Sequence, residues 1–401
     1  VGSVLAWLDS DDEQRRRMLQ VVQLFKDEST VDELGIGSIR DAIADTLFPG
    51  TSVLHTRLRY LLFVPWLVDS VARSGMQPDQ AAGELRRREI RLIRALLRGN
   101  QTDGVIGKQA RDKLKRMPSA AYWAATLRFG IRTWDTSIDG FFRKARGQAA
   151  LRSLEPESDD PGIARAYGDT GFTVHLPAPP GDLLEVATFD LEPAEADVLT
   201  DYIAASARGS LIAWLAQHGR PTSAESIWQH EQLGEFPSGL REAVDHGRRF
   251  RWAIYGAVLL YNLMLAERAG GPLVEQYTQD LADWQDDLRR ERPFDGWSRS
   301  ELWGLVSTRN PRLSPLTQRF VESWLRLVES GEPLDGPRAR TLVTEREVRI
   351  KGGRARLRND AALDRWRGES GLSPLDFRWT VTRRLLSDLY LARAEVTDAR
   401  T

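Results

Sequence analysis

What most restricts the fold of this chain is a recurrent helical rhythm. Stretch after stretch sets apolar residues three or four apart and then ends on Gly or Pro. Gln14 to Phe25 carries Met18, Val21, Val22 and Phe25 in that register, and Ser38 to Leu47 repeats it with Ile39, Ile43 and Leu47 before Pro49-Gly50. Helices are also expected over Leu58–Val68, Leu85–Leu97, Lys108–Met117, Ala120–Gly130, Pro193–Leu215, Gly239–Ala269, Gln276–Arg290 and Pro374–Ala394. Two segments read as extended. Phe172–Leu176 is a short strand, and Val348–Ile350 turns through Lys351-Gly352-Gly353 into Arg354–Leu357 as a hairpin on a Gly pair. The expected fold class is mainly α, multi-helical, with a small β-hairpin near the C-terminus.

The polar, proline-punctuated stretch Glu155–Gly162 and the Gly331–Gly336 segment read as boundaries. They divide the chain into a helical domain with a basic helix pair at 1–153, an acidic linker or subdomain at 154–192, a helical domain at 193–332, and a basic hairpin with a C-terminal helix at 333–401. The longest apolar run, Trp252–Ala266, is flanked by Arg251 and Glu267. It falls short of the roughly 20 apolar residues that a membrane span needs, so no membrane partner is expected. Val1–Leu8 runs directly into Asp9, Asp11, Asp12 and Glu13, unlike a secretory signal, and a cytoplasmic protein is expected.

Charge is segregated although the total is only -1. Between Arg86 and Arg116 eleven Lys or Arg meet three acids, and between Arg338 and Arg358 eight meet two. Between Glu155 and Asp201 twelve acids are opposed by Arg165 alone. Such separation creates local fields of several kT, which select partners. The 50 Arg against 6 Lys match the usage of a GC-rich genome, yet the guanidinium fork also grips phosphate bidentately.

On Leu85–Arg98 the residues Arg87, Arg91, Arg94 and Arg98 step by three or four and share one helix face, while Ile90, Leu92, Ile93, Leu96 and Leu97 supply the opposite one. With Lys108, Arg111 and Lys115 of the following segment, they form a candidate phosphate-contacting surface. The Gly99–Gly107 connection is too long for a tight helix-turn-helix. Arg354, Arg356 and Arg358 alternate along the expected hairpin, close in sequence to Trp366, Phe377 and Trp379, and form a second candidate contact for DNA or RNA. The competing reading of both is a solvated face, a charged edge strand, or pairing with the acidic tract of the same chain.

A third candidate is an anion site built from Ser38, Thr51, Ser52, His55 and Arg57, where small-residue turns precede helix starts. Ordinary helix capping competes with it. The GxGS run lacks the Lys and the strand–helix context of a phosphate loop. Trp66, Trp123, Trp134, Trp214, Trp252, Trp303 and Trp324 lie in apolar helical patterns and are expected in the core, with Trp366 the most exposed of the tryptophans. The absence of cysteine excludes disulfides, thiolate nucleophiles and cysteine-ligated metals. The five histidines show no metal-ligand spacing and no GxSxG elbow is present, so neither metal nor cofactor is expected.

At Asp32–Asp41, Leu47–Ser52 and Thr56–Trp66 the chain resembles a bacterial family of unknown function. Gly104–Gly107, Pro118-Ser119 with Tyr122-Trp123, and Lys351–Leu357 extend the resemblance over nearly the whole chain. It carries no activity across. The neighbourhood of members beside helicases and phospholipase-D-like nucleases implies bacteriophage defence, with those proteins as partner subunits. The expectation is therefore a non-catalytic subunit of a defence assembly that binds nucleic acid or partners through arginine patches. An enzyme (a nuclease or nucleotide hydrolase) using the N-terminal anion site and a self-paired structural scaffold stand as alternatives.

Overall fold

In the computed structural model residues 32–110, 114–154 and 170–398 are described, side chains 152–154 and 395–398 excepted. The expected Gln14–Phe25 helix, the Glu155–Gly162 boundary and Arg111 lie outside them. In chain order the α-helices are α1 Gly37–Leu47, α2 Tyr60–Ala72, α3 Pro78–Arg98, α4 Pro118–Arg128, α5 Ile138–Leu154, α6 Pro193–Ser206 and α7 Leu211–His218. They continue with α8 Ser238–Ala269, α9 Leu273–Glu291, α10 Arg299–Arg309, α11 Pro315–Ser330, α12 Pro337–Lys351, α13 Asp360–Leu363 and α14 Trp379–Asp398. The chain forms two compact units: residues 32–43 with Asp245–Leu375, and Ala44–Val244 with residues 376–398.

Among the described residues there is no β-strand, and the expected C-terminal hairpin is absent. Its first arm belongs to α12, which runs unbroken to Lys351 because Val343, Arg346 and Glu347 are buried at helical spacing. Gly352, at φ 54°, ends the helix and a single 3-10 turn follows over Gly352–Arg354. The backbone N–H groups of Arg356 and Leu357, which a hairpin would pair across strands, donate instead to the Glu347 carboxylate, both at 2.9 Å. A side chain thus supplies the acceptors a second strand would have offered. The strand expected at Phe172–Leu176 reduces to one isolated antiparallel bridge between Arg132 and Phe172. The described residues of the expected Lys108–Met117 helix form turns and bends, entered through Gly107 at φ 86°.

In the unit that contains α2 to α7 and α14, α2 is buried along almost its whole length, from Tyr60 to Val68, and packs on α3, α4 and α5. α3 contributes Leu85, Leu92, Ile93 and Leu96, a stripe at helical spacing. Burial of each such leucine stabilises by about 1.5–3 kcal/mol. Tyr60 gathers Tyr122 and Phe189 around itself at 5.1 and 5.3 Å. In the same unit α14 packs on α6 and α7, burying Leu385, Leu386, Leu389 and Trp379.

In the other unit the apolar run expected as a core segment lies within α8. Gly256 lets the Trp284 ring of α9 sit flat on α8, where any Cβ would strike the indole. Trp324 of α11 is fully buried and donates its indole N–H to the Ala253 carbonyl at 2.7 Å. α11 packs on α12. Across the two units Trp66, Trp134 and Trp324 are core residues, whereas Trp123, Trp214, Trp252, Trp303 and Trp366 are half-buried. Among the described residues no helix is long and apolar enough to cross a membrane.

Candidate functional site

The arginine row of α3 borders an open groove. Arg91, Arg94 and Arg98 form one side, and Leu184, Glu185 and Val186 the other. The segment carrying those three residues is held at the end of α3 by backbone contacts. Ala187 donates its N–H to the Ala95 carbonyl at 3.2 Å, and the Ala187 carbonyl occupies the place of the side chain that Gly99 lacks. Arg98 completes the join by donating to the Glu185 carbonyl and, at 3.1 Å, to the Leu184 carbonyl. Arg91 and Arg94 are exposed. Arg87 forms an exposed pair with Glu84 at 2.9 Å, a carboxylate that also takes Arg88. The segment Leu184–Glu185 therefore meets Arg98 through main-chain carbonyls, and among the described residues Glu185 is the one acid lining the groove.

The opposite face of α3 buries a lone acid. Glu89 accepts the Ser119 N–H at 2.7 Å, and burial pushes its carboxyl up to about 7 despite that bond. Lys108 is exposed and donates to the Thr102 carbonyl at 3.1 Å, and Lys115 is exposed in the bend that replaces the expected helix.

The N-terminal anion residues are divided between the units: Ser38 lies in one, and Thr51, Ser52, His55 and Arg57 in the other. The N–H groups at the start of α1 are taken by the Asp32 carboxylate, from Ile36 at 2.7 Å and Gly37 at 2.5 Å. The Thr51 hydroxyl donates to the Phe48 carbonyl at 2.7 Å, and Ser52 donates its N–H to His55 Nδ1 at 3.3 Å. His55 is buried, stacked on Tyr122 at 4.2 Å, and donates from Nε2 to the Ala121 carbonyl. Burial pulls its pKa down to about 4, so the imidazole is neutral. Arg57 forks onto Asp388 at 2.9 and 3.0 Å and lies over the Phe189 ring. Thr51, Ser52, His55 and Arg57 are thus occupied in bracing their own unit.

The sequence pattern did not indicate the densest arrangement of charge, which lies in the unit containing α8 to α13. Glu33 and Glu347, both buried, face Lys351 and Arg356. Lys351 bonds Glu33 and reaches Glu347 at 3.2 Å; Arg356 reaches Glu33 at 2.8 Å. Tyr261 donates to Glu347 at 2.6 Å, and burial together with that carboxylate pushes the phenol up. Arg356 also donates to the Ser370 hydroxyl at 2.8 Å, and Asn262 fixes the Ser370 backbone from both sides. Burial, with the Arg356 and Arg354 charges, pushes the Lys351 ammonium down to about 7, against the pull of Asp32. Arg354 and Arg358 are exposed, so the expected arginine triplet is divided by Arg356 turning inward. Phe377 and Trp379, candidate stacking residues, are buried in the other unit. In the sequence Glu33 and its partners Lys351 and Arg356 fall in the stretches Asp32–Asp41 and Lys351–Leu357, which carry the family resemblance but give no sign of mutual contact. Among the described residues no group of three or more His, Cys, Asp or Glu could hold a metal ion.

The sequence profile of the Family of unknown function (DUF6361) matches residues 2–393. The chain belongs to this family. The DUF6361 match takes in both the α3 groove and the Glu347 cluster. No curated protein and no solved structure matches the chain.

Proposed function

We propose that this DUF6361 chain is a non-catalytic subunit that binds nucleic acid, with the phosphate backbone lying along the α3 groove. The observation that carries this reading is the alignment of Arg91, Arg94 and Arg98 on one wall of an open groove with, among the described residues, a single acid opposite. Successive guanidinium groups on one helix face stand about 5–6 Å apart, a spacing suited to backbone phosphates. Exposed Lys108 and Lys115 extend the positive surface of the same unit, and Arg354 and Arg358 offer a second contact in the other. The groove presents guanidinium forks and apolar edges, which fits contact with the backbone. A place in a bacteriophage-defence assembly beside a helicase or nuclease belongs to the same proposal and rests on family resemblance alone.

The test is an electrophoretic binding assay with duplex and single-stranded DNA and with RNA at two salt concentrations. Wild type binds and loses affinity steeply with salt, and the double variant Arg91→Glu with Arg94→Glu binds at least about tenfold more weakly. Equal affinity of the two proteins would refute the reading. A self-paired scaffold is the second reading, favoured by Lys351 and Arg356, whose charges are met by Glu33 and Glu347 inside the chain. It gives no nucleic-acid binding at either salt concentration.

A further inference from the structure

The unit containing α14 holds a small cavity of about 60 Å³ that shares no residue with the α3 groove. His230, Arg383 and Ser387 supply its polar lining, and Trp379, Leu386 and Tyr390 its apolar walls. His230 is only 4% exposed. Its Nδ1 accepts the Gln232 N–H at 3.0 Å. Gln232 is itself fixed, since its side chain takes the Arg220 N–H at 2.9 Å and donates to the His218 carbonyl and to Glu235. The ring is wedged between Phe236 and Trp379 at 5.4 and 5.6 Å. Burial pulls the His230 pKa down, with Glu231 and Glu235 opposing, so the ring is neutral at neutral pH.

A neutral imidazole that accepts at Nδ1 carries its proton on Nε2. That buried Nε2 has no hydrogen-bond partner. An unmet buried donor is costly, and it marks a place where an acceptor belongs.

The neighbours define what kind of acceptor fits. The Arg383 guanidinium is anchored through Nη1 to the Ser223 and Ala224 carbonyls at 2.9 and 2.8 Å, and no carboxylate of the described residues pairs with it. Ser387 stands one turn further along the same face of α14. Trp379 and Tyr390 direct their own donors away, to the Ala224 and Leu215 carbonyls, and so present carbon surface to the cavity. The Thr222 hydroxyl is likewise spent on Glu231 at 2.5 Å. The site thus offers a fixed positive charge and a fixed N–H donor against apolar walls, and its volume suits a headgroup and not a whole nucleotide.

We propose that this cavity is a binding site for a small oxyanion, a carboxylate or phosphate group, held by the His230 Nε2–H and the Arg383 guanidinium. The anion accepts from both, and the side of Trp379 and Leu386 excludes water from the pair. The site goes beyond nucleic-acid binding at α3 and stands or falls without it.

The test is calorimetric titration of the full chain with inorganic phosphate and, separately, with acetate, each at an ionic strength matched with chloride. Long-range ¹H–¹⁵N spectra of the histidine rings are recorded alongside. Saturable heat with one or both anions is expected, together with a shift of one imidazole Nε2 resonance that keeps its proton. Arg383→Gln, a change at a half-buried position, weakens that affinity about tenfold or more. His230→Asn removes both the heat and the shifting resonance. The anion that binds identifies the source of the chemistry. Absence of heat and of a resonance shift with both anions, or an unchanged affinity in Arg383→Gln, would overturn the site.

Discussion

Two arginine-rich tracts of this chain meet opposite fates. On α3 the row Arg91, Arg94, Arg98 stands along an open groove. At the end of α12 and just beyond it, Lys351 and Arg356 turn inward onto Glu33 and Glu347. The difference does not lie in charge density. It lies in what each helix buries: α3 buries an apolar stripe with Glu89 as its one buried charged residue, held by the Ser119 N–H, whereas α12 buries Arg346 and Glu347. A buried carboxylate demands partners, and Glu347 finds them in Lys351, Tyr261 and two backbone N–H groups. One tract therefore lines a groove with exposed arginines, while part of the other holds its own unit together.

That contrast is sharpest in stability. Glu347→Ala strips the acceptor from a cluster in which it is fully buried, and unfolding in urea should show a loss of about 3–5 kcal/mol. A loss below about 1 kcal/mol would mean that the cluster is not what holds α12 to its turn.

Within α3 the same opposition appears on two faces of one helix. The folded chain keeps the Glu89 proton up to about pH 7, whereas the unfolded chain releases it near 4.5. Unfolding therefore releases a proton between those values, and stability falls as pH rises from about 4.5 through about 7. Glu89→Gln keeps an acceptor for Ser119 and should remove that slope, a difference on the order of 2–3 kcal/mol at neutral pH relative to acid. Parallel urea curves for both proteins at pH 4.5 and 7.5 measure it, and identical pH trends would reassign the Glu89 environment.

The outer face should register in binding. Arg91→Glu with Arg94→Glu should lower the slope of log affinity against log salt by about 2, one phosphate contact for each arginine, as read from a salt series of the electrophoretic assay. The smallest effect is on folding from that same face. Arg91→Ala should leave stability within about 0.5 kcal/mol of wild type. A larger loss would show that Arg91 braces the unit and would narrow the contrast with Arg356.

Much of the secondary structure was legible beforehand, because a helix records its buried face every three or four residues. Leu85, Leu92, Ile93 and Leu96 announced α3, and the uninterrupted Trp252–Ala266 run announced the interior of α8. The expected hairpin is absent for a local reason. Gly352-Gly353 between β-branched residues and alternating arginines mimics a turn between strands, and nothing nearby reveals that Glu347 will take the N–H groups such strands would share. The Glu33 side of the cluster was invisible because that residue lies 318 positions before Lys351. His230 was equally mute: only the Gln232 N–H on its Nδ1 and the arrival of α14 reveal a donor without an acceptor.

By itself the sequence determined that the chain would be helical and free of cysteine chemistry, and which faces would be charged, since periodicity and composition are properties of neighbours along the chain. Only the tertiary structure decided which charges met carboxylates and which met solvent. That choice depends on burial and on partners brought from far positions, and a guanidinium group has the same composition in both settings.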